Sequence, residues 1–372
     1  MKTTASSKKK NIYYIYVDRS GQKNTASMKA SSDISELCRR AGFTRLFLYR
    51  APGTAGFSVK QIRAGLMFLF HWLVILIRLP RNAVVIYQHP TFGSRLTAKL
   101  IVLLKRWKHC RFICVIHDLD SLRGGVRKVS SRKKRDYQFM DTTLLRCFDC
   151  LICHNTQMKQ YLINQGFDPK KLVTLEIFDY LTDEVPEKSG KGEVPSIAIA
   201  GALNPTKSGY LYRIINEKKE QNPHLQINLY GSYYEEDKGS NHMYYKGSFP
   251  PEKLPKVLEG DFGLVWDGQS IQTCAGNTGE YLRYNNPHKM SLYLAAGMPV
   301  IIWEEAAEAD FIVKTGTGIT VKDLRNLENV IEQMDEEQYE SMAHNAKKIG
   351  KNLRKGRYFY RALYQALRIC EK

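Results

Sequence analysis

The sequence predicts an α/β protein built from two tandem Rossmann-like domains, and three observations carry that prediction. Apolar strand-like runs alternate with helical patterns twice over, a charged stretch rich in Pro and Gly separates the two series, and the basic excess is confined to the first of them. A length of 372 residues exceeds what one ordinary core organises, since domains hold roughly 100 to 200 residues. With 43% hydrophobic and 25% charged residues, the chain is neither disordered nor a polytopic membrane protein.

The first strand is predicted over residues 12–18 (IYYIYVD), an apolar and aromatic run bounded by polar residues. A polar loop with Asn24, Thr25 and Ser27 leads to a helix around 34–41. A long helical pattern over 59–79 precedes a strand at 83–88, and a helix at 96–107 precedes a buried-type strand at 111–118 (RFICVIHD). A basic loop, a helix around 137–146 and a strand at CLICH complete the first series. Residues 183–195 (DEVPEKSGKGEVP) read as a linker. A second series then starts: strand SIAIAGAL, helix 210–220, strand QINLYG, helix 252–259, strand FGLVW, helix 289–296, strand PVIIW, helix 306–314. Such alternation predicts parallel sheets covered by helices on both faces. The division expected is a first domain over 1–182, the linker, a second domain over 196–350, and a C-terminal helix over 351–372 that packs back on one of them.

The charge is divided unevenly. Residues 1–190 hold 33 Lys and Arg against 14 Asp and Glu, so 33 − 14 = +19, whereas residues 191–372 hold 23 of each. That asymmetry predicts an anionic partner for the first half, either lipid headgroups or nucleic acid. The apolar run over 65–77 has 13 residues, fewer than the roughly 20 of a bilayer span, and Arg63, Arg78 and Arg81 flank it. With the basic, apolar segment 99–109 it is expected to supply core helices. One edge, carrying Trp72, Trp107, Lys105, Arg106 and Lys108, is expected to lie on an anionic membrane.

Eight cysteines lack the spacing of a secreted scaffold and no signal-peptide pattern opens the chain, so reduced thiols in the cytoplasm are expected, with peripheral attachment to the inner face of the cell membrane. The spacing Cys147, Cys150, Cys153 invites a metal reading, but no fourth ligand is evident, and buried apolar thiols explain it as well.

The most informative segment is NNPHKMSLYLAAGMPVII, residues 285–302. A Pro-His-Lys turn opens a helix that ends at Gly297, and Pro299 starts a buried strand, so His288 and Lys289 fall where helix amides and a cation can meet phosphate. This segment resembles the nucleotide-sugar element of GT-B glycosyltransferases, two-domain enzymes whose lobes face each other across a cleft. It is more similar still to the bacterial galactofuranosyltransferase and glucosyltransferase 3-like family. The blocks NTASMKASSD (24–33), VIHDLDSLR (115–123), HNTQMKQYLINQGF (154–167), LEIFDYL (175–181) and FGLVWDG (262–268) extend the resemblance over most of the chain in the right order.

The resemblance implies a metal-independent enzyme, without cofactor, that moves a hexosyl unit (galactofuranose, glucose or galactose) from a UDP-sugar to a lipid-linked or protein-linked glycan acceptor in cell-surface polysaccharide or glycoprotein assembly. It also implies self-association. Carried over residue by residue, it places Lys289 on the donor diphosphate with Asn285, Asn286 and His288 in the same turn. Lys207 stands as a second cation, with Asn204 and Thr206 in its loop, and Tyr230 and Gly231 resemble part of the base or ribose pocket. Asn24, Thr25, Ala26 and Ser27 match a loop near the transferred sugar and phosphates. One position departs: where many GT-B enzymes hold the ribose with a glutamate, this chain has Leu292. Glu280, Asp267 and Asp310 are the available substitutes.

For the acceptor hydroxyl, His117, Asp118 and Asp18 are candidate bases. The alternative for His117 and Asp118 is that they satisfy each other and neighbouring loop amides. Gln88 and Pro90 are expected to shape the acceptor cleft. Competing classes are a basic nucleic-acid-binding protein, a nicotinamide oxidoreductase and a silent subunit of a glycosylation complex. No nucleic-acid-binding motif accompanies the charge, G-x-G-x-x-G is missing after both first strands, and the retained Lys207 and Lys289 speak against silence.

Overall fold

The computed structural model describes residues 11–17, 26–49, 59–91, 93–123, 130–183, 185, 190–215 and 222–371. Asp18, Asn24 and Thr25 lie outside the described residues, as do the side chains of Ala26 and Ser27, which open a helix, Ala26–Arg40.

In the first domain β1 (Ile12–Val17), β2 (Thr44–Leu48), β3 (Val84–His89), β4 (Arg111–Ile116), β5 (Cys150–Cys153) and β6 (Leu172–Thr174) form one parallel sheet in the order β2-β1-β3-β4-β5-β6. In the second, β7 (Ser196–Ala202), β8 (Gln226–Ser232), β9 (Met243–Gly247), β10 (Phe262–Val265), β11 (Val300–Trp303) and β12 (Gly318–Val321) follow the order β12-β11-β10-β7-β8-β9. The central strands read as unbroken apolar runs because helices cover both faces: Phe112 through Ile116 and Val300 through Trp303 are buried without alternation. Two parallel sheets with helices are the predicted class.

Helices Val59–Arg78, Ser94–Lys108 and Thr156–Asn164 pack on one face of the first sheet. The other face is covered by Ala26–Arg40 and by the C-terminal helix, Arg357–Glu371, which returns from the second domain and inserts Phe359, Ala362, Leu363 and Ala366 among Ile86, Ile113, Val115 and Ile152. Asp179 caps that helix by accepting from Phe359 N at 2.6 Å and Tyr358 N at 3.3 Å. The helix before it, Glu336–Arg354, lies on the second domain so closely that a Cβ at Gly350 would meet the Leu294 carbonyl oxygen at 2.1 Å.

Several elements differ from the sequence expectation. β2, β6, β9 and β12 were not anticipated. Of the helix expected over 210–220, the structure has a 3-10 turn, Gly209–Arg213, and 216–221 lie outside the described residues. The helix expected over 252–259 shrinks to Leu254–Val257, where Pro255 sits in the first turn. Helix Val59–Arg78 is longer than its apolar run: its stretch Gln61–Arg78, with mean hydropathy 1.4, is long and apolar enough to cross a membrane by length and composition. It nevertheless joins β2 to β3 of a single sheet and buries Phe68, Trp72 and Ile75 against it, which a spanning helix could not do. Trp72, expected on an exposed edge, is therefore a core residue, because it falls on the sheet-facing side of the helix.

Candidate active site

The parallel strands of both sheets end toward one interdomain cleft, and its polar lining comes from the turns that follow them. After β4 come His117 and Asp118, and after β7 Lys207. Asp267 follows β10, and Asn285 to Lys289 form the turn into helix His288–Ala295. Arg123, Thr278, Tyr281, Phe178 and Gly201 complete the wall of a cavity enclosing about 880 Å³, part of it open to solvent. Placement at carboxyl ends is where open parallel sheets collect ligands.

Three cations converge here. Lys289 Nζ donates to Asp267 Oδ1 at 2.8 Å and to the Trp266 carbonyl at 2.7 Å, and Arg123 pairs with Asp118 at 2.8 Å. Among the described residues Lys207 carries no such ion pair. Asp267 raises the pKa of Lys207, but burial together with Lys289 and Arg123 outweighs it, and the net direction is below the ordinary lysine range. Burial lifts the Asp118 carboxyl above the usual range against the opposing pull of Arg123, and Tyr281 hydrogen-bonds to it. Helix His288–Ala295 starts at Pro287 with no side-chain cap, and Pro287, His288 and Lys289 at its start line the cleft.

His117 and Asp118 do not satisfy each other. The His117 ring lies flat on Phe178, with centroids 5.5 Å apart, and its Nε2 is 2.7 Å from Gln88 Oε1. Gln88 Nε2 in turn donates to Ser35 Oγ at 3.0 Å. Ser35, Gln88 and Thr91 line a second cavity of about 680 Å³ beside the ends of β1 and β3, with Tyr16, Met28 and Ser31.

Other predicted residues are placed differently. Asn286 lines the cleft but is spent on holding the domains together: its backbone N–H donates to His154 Nδ1 at 2.9 Å, its side-chain amide donates to the His154 and Glu176 carbonyls, and its oxygen accepts from Asn155 at 2.7 Å. Asn204 caps the short helix Pro205–Ser208, accepting from Lys207 N at 3.0 Å and from Thr206 Oγ1 at 2.5 Å, so Asn204 and Thr206 orient the lysine turn. Tyr230 is a core residue whose hydroxyl accepts from Glu259 N at 2.9 Å, and it does not line the cleft. Gly231, with φ +145°, lies where a Cβ would meet the Gly201 carbonyl oxygen at 1.8 Å, so close strand approach explains the glycine. His288 faces the cleft between Phe178 and Tyr180, its Nε2 buried without a partner among the described residues, and burial pushes its pKa down to about 3. Asn285 Oδ1 is likewise buried and unpartnered among the described residues.

Of the substitutes for the absent ribose carboxylate, Asp267 is in the cleft holding Lys289, Glu280 pairs with Arg283 at an exposed position, and Asp310 opens helix Ala309–Thr315. Cys150 and Cys153 sit in β5 within the two cores of the first domain. Arg123 and Tyr281 were missed in the sequence. The usable signal for Arg123 was its position in the turn after a buried strand, beside Asp118. Tyr281 gave none, because its hydroxyl serves the other domain, accepting from Leu119 N at 2.9 Å.

Comparison with known proteins bears on the family and the fold. The model of the glucosyltransferase 3-like N-terminal domain matches residues 10–177 and that of the C-terminal domain residues 197–366. The chain is 34% identical to the β-1,6-galactofuranosyltransferase WbbI of Escherichia coli K12 over 69% of this chain and 71% of that one. It is 24% identical to glucosyltransferase 3 of Streptococcus gordonii over 96% and 98%. A solved structure of the pneumococcal O-GlcNAc transferase GtfA, in complex with UDP and GlcNAc, superposes with a TM-score of 0.63 over 98% of this chain and 99% of that one, at 12% identity, and so shares the fold. With both domain models matched in order and two parallel-sheet lobes meeting at a cation-lined cleft, the chain belongs to the glucosyltransferase 3-like family and is a glycosyltransferase of the GT-B fold.

Proposed function

We propose that the enzyme transfers a hexosyl unit from a UDP-sugar to a hydroxyl of a glycan acceptor, and that protein cations rather than a metal ion compensate the departing diphosphate. The observation that carries this reading is the convergence of Arg123, Lys207 and Lys289 on one cleft beside an uncapped helix start. As the bond from the anomeric carbon to the diphosphate oxygen breaks, negative charge grows on the leaving group. Preoriented cations and amides in a partly desolvated cleft stabilise that charge more than the ground state. The acceptor oxygen forms the new glycosidic bond and its proton passes to a base. Asp118 suits that role, since burial raises its proton affinity, and His117 is the alternative. The hydroxyl-lined second cavity, joined to His117 through Gln88, fits a sugar acceptor. Galactofuranose, glucose and galactose are the donor sugars to test, on acceptors carried by lipid or protein.

Titration calorimetry with UDP tests the donor site. Lys207→Ala and Lys289→Ala should each weaken binding about ten-fold or more, since a charge-assisted contact contributes about 1.5 to 3 kcal/mol. Wild-type binding should persist in EDTA. Unchanged affinity in both variants would remove this site from consideration. Product analysis with a panel of UDP-sugars then identifies the donor.

A further inference from the structure

The first domain presents an apolar surface that no part of the described chain covers. On helix Val59–Arg78, one side packs on the sheet while Ile62, Leu66, Leu69, Phe70, Leu73 and Ile77 are at least half exposed on the other. Their spacing follows the helical period, so they form one stripe of about 23 Å, at 1.5 Å per residue. Leu103 and Trp107 of the adjoining helix Ser94–Lys108 are also exposed, and Lys108 ties the two helices by donating to the carbonyls of Leu76 and Leu79, each at 2.6 Å. A patch of this length exceeds the scattered apolar residues of an ordinary surface.

Its surroundings identify the occupant. From Leu37 to His117 the chain has no Asp or Glu and fourteen Lys and Arg. Arg63, Arg78, Arg81 and Arg106 are exposed around the stripe, and helix Ser131–Phe139, joined to the second helix through Arg95 and Asp136, adds Arg132, Lys133, Lys134 and Arg135. A second copy docked by the same face would bring together two strongly cationic rims, in which Asp136, already paired with Arg95, is the acid the helices carry. An anionic bilayer answers both features, accepting the apolar stripe at the level of the acyl chains and the rim among its headgroups. We infer that the first domain lies on an anionic membrane surface, with helix Val59–Arg78 in the plane of the interface and its exposed stripe inserted. This inference stands independently of the donor chemistry.

The test is co-sedimentation of the full chain with phosphatidylcholine vesicles with and without phosphatidylglycerol, alongside sedimentation velocity without lipid. The wild type should bind the anionic vesicles about ten-fold or more tightly than the neutral ones, and salt should weaken that binding. The variant carrying Leu66→Ser, Leu69→Ser and Leu73→Ser should lose about ten-fold or more of it, with oligomeric state and thermal stabilisation by UDP unchanged. A second variant, Arg78→Glu with Arg106→Glu, touches no core contact and should lose the preference for anionic lipid even if the first variant folds poorly. Equal binding to both vesicle types, absence of binding by the wild type, or dissociation of a wild-type oligomer by the serine substitutions would overturn the inference. The last outcome would assign the stripe to a second copy and the second to a protein partner.

Discussion

At Lys207 and Lys289 the same residue type sits in two electrostatic states. Lys289 is already satisfied by Asp267 and a carbonyl, whereas Lys207 is held below the ordinary lysine range by burial and by two neighbouring cations. A diphosphate in the cleft would relieve Lys207 in particular, which is why its loss is expected to weaken UDP binding. His288 offers a test of burial at the same site. Its pKa falls from 6.5 to about 3 because the imidazole is desolvated, with Lys29 adding to the effect. The unfolded chain takes up a proton below pH 6.5 that the folded chain refuses, so the histidine's contribution to stability is complete above that pH and erodes as pH falls toward 3. Replacing it by a neutral side chain should remove that erosion. The destabilisation caused by His288→Gln, measured by urea unfolding, should shrink by roughly 2 kcal/mol between pH 7 and pH 5. An unchanged difference would mean that the ring is solvated in the folded protein.

At the scale of elements, the strands legible in the sequence are the interior ones. β2, β6, β9 and β12, which the periodicity did not reveal, are the four edges of the two sheets. An edge strand pairs on one side only and is partly exposed, as Thr44, Arg45 and Phe47 are in β2 and Tyr244 and Tyr245 are in β9, so it lacks the continuous apolar run of a strand buried on both faces. The start of helix His288–Ala295 was legible from its Pro-His-Lys turn, whereas helix Thr156–Asn164, capped by Asn155, and the short helix Pro205–Ser208, capped by Asn204, were not read from the sequence. Gly231 shows what pairing adds. In β8 it faces Gly201 of β7 and takes a positive φ, a geometry that a sequence motif presents as a ligand site. Gly231→Ala is expected to cost about 3 kcal/mol or more, because a Cβ would collide with fixed backbone and the conformation is strained for an L side chain. Chemical denaturation measures this, and a variant as stable as the wild type would contradict the strand geometry.

For the molecule as a whole, buried hydrogen bonds help tie the two lobes together. Asn286 grips His154 and Glu176, the Tyr281 hydroxyl accepts from Leu119 N, and Asp179 anchors the returning C-terminal helix. Asp179→Ala leaves the Tyr358 and Phe359 amides buried without their acceptor and should destabilise the protein by about 2 to 4 kcal/mol. Hydrogen exchange should accelerate first in Arg357–Glu371, and protection equal to that of the wild type there would show that the cap is dispensable.

The sequence by itself determined the α/β class, the two βαβ series, the uneven charge and the lysine-bearing turns at Lys207 and Lys289, since apolar periodicity, turn residues and local charge are properties of neighbours along the chain. Tertiary structure alone decided that Arg123 and Tyr281 join the cleft, that Tyr230 and Trp72 belong to cores, and that Asn286 clasps two domains. Each of those outcomes depends on which surfaces meet across more than a hundred residues or on which side of an element is covered, and burial, not spacing, settles both.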